Sequence, residues 1–71
     1  MKEFLERVAE VLEVPEIGAD DDFRSVPMWG SLLGFGLMVM IGQRYGRRVS
    51  AADMAASRTV ADLAALAGVG P

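Results

Sequence analysis

Between Val26 and Gly46 the chain reads VPMWGSLLGFGLMVMIGQRYG. Pro27 and Gly30 break the backbone just before a run with no charged side chain until Arg44, and Gly46 closes it. This punctuation predicts a helix from Ser31 to Tyr45, with Ser31 in the first turn or at the cap. The first N–H groups of a helix have no partner within it, and their summed dipole favours a negative group at that hydroxyl, such as a phosphate ester. Gly34, Gly36 and Gly42 lie inside the run, and each costs up to about 1 kcal/mol relative to Ala in a helix. A helix with this composition requires tertiary contacts to hold it, so the rest of the chain is expected to pack around it.

Upstream, Phe4, Leu5, Val8, Val11 and Leu12 form one stripe of a 3.6-residue repeat, with the glutamates mostly off it. This is a first helix, with Pro15 marking its end. From Val14 to Gly30 follows a long connection rich in Pro, Gly and Asp, on which Phe23, Val26, Met28 and Trp29 are expected to fold back against the core. Downstream, Ser50 and Asp53 have capping-box spacing and announce a short third helix with Met54 as its core contact. Thr59 and Asp62 announce a fourth, with Val60, Leu63, Ala64 and Ala67 inward and Gly68 closing it. The pattern predicts an all-α four-helix bundle, a single domain over residues 1–71, with a long loop between helices one and two and no β content. The tail from Gly68 to Pro71 is expected to fray.

Cysteine and histidine are both absent, which removes the usual Zn ligands and the Ser-His and Cys-His nucleophile pairs. No catalytic residue and no metal site are expected. Asp20, Asp21 and Asp22 lack the further ligands and the glycine of a calcium loop, so local capping in a solvated loop is expected of them. Charge is split unevenly: eight carboxylates against two cations give −6 over residues 1–22, and five arginines against two aspartates give +3 over residues 23–71. A few arginines on an acidic chain are a poor footprint for nucleic acid. The start, MKEFLER, has no apolar signal core, and a cytoplasmic location is expected. Residues 25–43 are uncharged and close to a membrane-spanning length, but Pro27 and the glycines count against insertion.

The ordered landmarks resemble a known family. An Asp22-Phe23 pair precedes the loop, Trp29-Gly30-Ser31-Leu32 opens an apolar helix ending in Tyr45-Gly46, and Val49 and Thr59-Val60 follow without a gap. This set resembles the acyl carrier proteins and peptidyl carrier domains over nearly the whole chain. The resemblance implies that Ser31 receives a 4′-phosphopantetheine arm from a phosphopantetheinyl transferase. It also implies that the arm carries acyl or aminoacyl groups as thioesters to acyl-transferring or condensing enzymes, in fatty acid, polyketide or related thiotemplate biosynthesis. Such a carrier is not an enzyme, inserts in no membrane, and is expected to be a monomer. Two features depart from the family pattern. Gly30 stands where Asp usually precedes the serine, and the second helix carries no carboxylate but has Arg44 near its end, followed by Arg47 and Arg48.

Leu32 and Val39 resemble the family's apolar partner contacts, and Arg44, Arg47 and Arg48 are candidates beside them for meeting an apolar or acidic partner surface. Met28, Met38, Met40 and Met54, with Phe35, Leu37, Ile41, Val49 and Leu63, form either an adaptable acyl pocket or an ordinary core. Trp29 is expected to anchor the loop, or else to touch the arm. Gly30 and Gly34 have the spacing of a close helix contact. From the residues alone Ser31 also reads as a simple helix cap. The alternative function is an unmodified carrier-like helical domain acting as a binding or regulatory module.

Overall fold

The structure, a computed structural model, describes residues 1–70. Its elements are α1 (Lys2–Leu12), a 3₁₀ turn (Phe23–Ser25), α2 (Ser31–Tyr45), α3 (Ala51–Ala56) and α4 (Val60–Ala67). Among the described residues there is no strand, and the all-helical fold agrees with the sequence pattern. One isolated antiparallel bridge, Asp22 to Thr59, is the exception to the expected absence of β pairing.

In α1 the stripe resolves into fully buried Phe4, Val8 and Leu12, with Leu5 and Val11 half-buried beside them. The helix stops at Leu12, short of Pro15, because Glu13 turns into the left-handed region at φ 59°. Val14 N–H then donates to Ala9 O at 3.0 Å. Pro15 disfavours a helical Val14, so the proline acts on the stop from outside it.

The connection is built rather than loose. Asp21 accepts from Gly18 N–H at 2.8 Å, and Asp22 caps the 3₁₀ turn by accepting from Arg24 N–H at 2.8 Å. The backbone carbonyls of Asp21 and Ala19 accept from Val60 N–H at 3.0 Å and Ala61 N–H at 2.8 Å. These donors belong to the first turn of α4, where a helix has no internal acceptor for them, so the loop satisfies α4 and α4 fixes the loop. Phe23 is fully buried and meets Trp29 edge-on at 5.5 Å. Met28, expected on the core, is 64% exposed. The reason is local: Trp29 N–H bonds Val26 O at 3.1 Å, and this turn with Pro27 in its second position puts Pro27 and Met28 at the tip.

α2 buries Leu37, Met40 and Ile41 and ends at Gly46, φ 67°, as its sequence predicts. Its glycines mark close approaches. A Cβ on Gly36 would lie 3.2 Å from Val11 Cγ1 of α1, and one on Gly34 would lie 3.3 Å from the Trp29 ring. Trp29 therefore occupies the Gly34 surface that the Gly30–Gly34 spacing had offered to another helix. Tyr45 packs edge-on against Phe4 at 5.4 Å, and its hydroxyl is buried with no hydrogen-bond partner among the described residues.

Both expected capping boxes are formed. The Ser50 hydroxyl accepts from Asp53 N–H and Asp53 accepts from Ser50 N–H, each at 3.0 Å. Thr59 and Asp62 exchange bonds of 3.0 and 3.3 Å. The inner face of α4 is Val60, Leu63, Ala64 and Ala67. Beyond Gly68 the expected fraying does not begin at once, because Val69 N–H bonds Ala64 O at 2.9 Å and its side chain packs on the core. Pro71, also in the expected frayed tail, lies outside the described residues. Among the described residues no helix is long and apolar enough to cross a membrane. At about 1.5 Å per residue, α2 is short for that purpose.

Candidate functional site

The start of α2 is the point on which the sequence argument converges. Gly30 is the N-cap in a fully extended conformation (φ −179°, ψ 177°), and it offers no side chain to the helix. Ser31 is therefore the first helical residue, not the cap. Its side chain is exposed, and the capping function that explains most serines at such places falls on its glycine neighbour. The first bond within the helix runs from Gly34 N–H to Gly30 O at 3.1 Å, which leaves the N–H groups of Ser31, Leu32 and Leu33 without helical acceptors. A Cβ at Gly30 would meet nothing within 4 Å, so this flank of Ser31 is open.

Ser31 lines a hollow of about 280 Å³ together with Trp29, Phe35, Met38, Met54 and Arg24. Of the expected pocket residues, Phe35, Met38 and Met54 are present here. Leu37, Met40, Ile41, Val49 and Leu63 are buried in the core, and Met28 is out at the turn. Arg24, which belongs to no motif in the sequence, brings the one ionisable side chain among the described residues to this hollow. Its guanidinium lies 4.7 Å from the Phe23 ring centroid and donates to Met54 O at 2.6 Å. The only sequence signal for it is adjacency to Phe23.

The partner-contact candidates Leu32, Val39, Arg44, Arg47 and Arg48 do not line the Ser31 hollow. Leu32 is 80% exposed and Phe35 62%, and Val39 continues this apolar face of α2. Val39 and Arg44 share a separate groove with Arg7, Glu10 and Gly36. Arg47 and Arg48 line a third hollow with Gly42 and Val49, and the Arg47 guanidinium lies in the space that a Cβ on Gly68 would need. A groove of about 640 Å³ between α1 and Ile17 holds none of the candidates.

A family model described as "Phosphopantetheine attachment site" matches residues 2–67, which span all four helices. The chain belongs to this family. Neither a curated protein nor a solved structure matches it. The family is defined by attachment of a 4′-phosphopantetheine prosthetic group, and its carrier domains are generally not catalytic and generally meet modifying transferases and biosynthetic enzymes. The residues at the start of α2 fit that group. An exposed hydroxyl free of capping duty, an open flank at Gly30 and an adjoining hollow with one cation suit a phosphate ester bearing a long arm.

Proposed function

We propose that this carrier domain is loaded on Ser31 and moves acyl or aminoacyl groups between enzymes of fatty acid, polyketide or related thiotemplate biosynthesis. The observation that carries the reading is the placement of Ser31: exposed, first in α2, and relieved of capping by Gly30. When attached, the arm supplies the thiol that this cysteine-free chain lacks, and with it the thioester chemistry. The protein's own part is presentation. The α2 dipole and the free N–H groups of its first turn stabilise negative charge beside Ser31, and no side chain of the chain performs catalysis.

The surface that partners meet is the exposed face of Leu32 and Val39, continued by Phe35, with Arg44, Arg47 and Arg48 toward the far end of α2. A helix with no carboxylate suits an apolar or acidic partner surface, since complementary charge sets encounter rate and specificity. The domain acts as a single cytoplasmic monomer in this reading. The loading enzyme is a phosphopantetheinyl transferase, and the client enzymes are acyl-transferring or condensing enzymes.

Incubation with coenzyme A and a broad-specificity transferase, followed by mass spectrometry, tests the attachment. The expected result is a phosphopantetheine mass on Ser31 that is lost in Ser31→Ala. Gly30, standing where the resemblance expects Asp, favours the second reading, an unmodified carrier-like module for binding or regulation. Persistent unmodified protein under these conditions selects that reading.

A further inference from the structure

Arg24 is half-buried in the Ser31 hollow, and among the described residues no carboxylate lies within ion-pair distance of it; the one ion pair among them joins Arg7 and Glu3 on α1. Residues 25–43 carry no charge at all, so nothing on the start of α2 answers it. A guanidinium held partly away from water with a ring and one carbonyl beside it, but no anion, is stabilised further when an anion reaches it. The group is also oriented. The Phe23 ring lies beneath it and one nitrogen is spent on Met54 O, which leaves most of a planar five-donor fork available.

We propose that Arg24 is the counter-charge for the phosphodiester linking the 4′-phosphopantetheine arm to Ser31. This rests on the reading of Ser31 as the attachment residue. A phosphodiester carries one negative charge at any working pH and accepts charge-assisted hydrogen bonds from a guanidinium. With Gly30 in place of a carboxylate, the nearest carboxylate in sequence is Asp22, which accepts from the Arg24 backbone N–H and forms no ion pair with its guanidinium. The contact orders the root of the arm at the mouth of the hollow, and Arg24 is a positioning residue there, not a catalytic one.

The test uses the full chain made by chemical synthesis with the arm already on Ser31, so that it does not depend on a transferase. Three loaded proteins are compared by ³¹P NMR: wild type, Arg24→Lys and Arg24→Gln. The Arg24 side-chain ¹H–¹⁵N resonance is followed in wild type with and without the arm. The expected result is an Arg24 resonance that moves on loading more than that of any other arginine. The ³¹P resonance should return toward that of a loaded unstructured peptide in Arg24→Gln, with Arg24→Lys between. An unmoved Arg24 resonance, or one ³¹P position for all three proteins, overturns the inference. If Arg24→Gln does not fold because Met54 O loses its donor, the wild-type comparison decides alone. Refusal by transferases counts against the attachment reading only, and a silent Arg24 in the synthetic loaded chain counts against this inference only.

Discussion

Replacing Gly30 by Asp and by Ala separates capping from every other effect at the start of α2. Gly30 is extended, a conformation open to any residue, and a Cβ there has free space. Either substitution therefore enters without strain, and each gains about 0.4–1 kcal/mol by restricting the unfolded chain. Beyond that the two diverge. An Asp carboxylate at the N-cap reaches the N–H of Leu32 or Leu33 and meets the positive end of the helix, whereas Ala leaves those donors bare. Asp over Ala at an N-cap is worth about 0.5–2 kcal/mol, and a negative charge in the first turn about 0.3–1 kcal/mol. Ala is a poorer N-cap than Gly by about as much as its unfolded-state gain, so the expected order of stability is Gly30→Asp above wild type by about 1 kcal/mol, with Gly30→Ala near wild type. For a domain of this size 1 kcal/mol moves the melting temperature by about 4–8 °C.

Thermal unfolding followed by circular dichroism, at about pH 7 and about pH 3, measures the effect and identifies its source. A capping aspartate is stabilised as the carboxylate, so its folded pKa lies below its unfolded one. Its contribution is present above the unfolded value and is lost as pH falls through the folded value. The advantage of Gly30→Asp over Gly30→Ala should therefore shrink in acid. If the two variants melt together at neutral pH, the donors of Leu32 and Leu33 are not open to capping and Ser31 is not the first residue of α2. The same pair reports on loading. A faster transferase reaction with Gly30→Asp but not with Gly30→Ala would make the carboxylate, rather than helix stability, the missing element.

Three further outcomes are expected. Tyr45→Phe removes a buried hydroxyl without a partner among the described residues; an unsatisfied buried group costs about 1–3 kcal/mol, so the variant should melt higher than wild type, and a lower melting point would reveal a partner for that oxygen. Asp53 has its pKa lowered by the Ser50 N–H and then the Ser50 hydroxyl, and Asp62 by the N–H groups of Thr59 and then Arg58; both therefore contribute above the ordinary aspartate range and lose that contribution as pH falls through their lowered values. Double substitution by Asn should flatten the acid limb of the stability profile, and an unchanged limb in chemical denaturation at stepped pH would remove the two boxes as its cause. Charge reversal at Arg44 and Arg47 should slow association with a client enzyme most at low salt, where surface charges are least screened; equal rates in stopped-flow mixing would mean that this end of α2 does not steer the encounter.

What the sequence made legible is what its local chemistry dictates. Ser50 with Asp53 and Thr59 with Asp62 each bond within one turn, and such boxes depend on spacing alone. Gly46 ends α2 by a property of its own backbone. What stayed hidden depends on partners distant in sequence. The glycines at 34 and 36 read as defects of a helix until Trp29 and Val11 are found against them. Arg24 reads as an ordinary loop cation until Met54, thirty residues on, supplies its carbonyl. Met28 is carried outward by the turn at Pro27 and Phe35 by the side of the almost wholly apolar α2 that faces water, and composition alone says neither.

These hidden contacts explain why Ser31 stands where it does. α2 contains three interior glycines and has weak intrinsic reason to begin at any particular residue, so its first turn is held from outside. The first-turn N–H groups of Val60 and Ala61 in α4 donate to the carbonyls of Asp21 and Ala19, Asp22 then shapes the turn that buries Phe23, and Phe23 seats Trp29 on the bare surface of Gly34. Each contact is the support for the next, and the last lies one helical turn from Ser31. A larger residue at Gly34 therefore acts on the presentation of the serine through Trp29, without touching the hydroxyl. The long loop between α1 and α2 is the device that sets the register of α2.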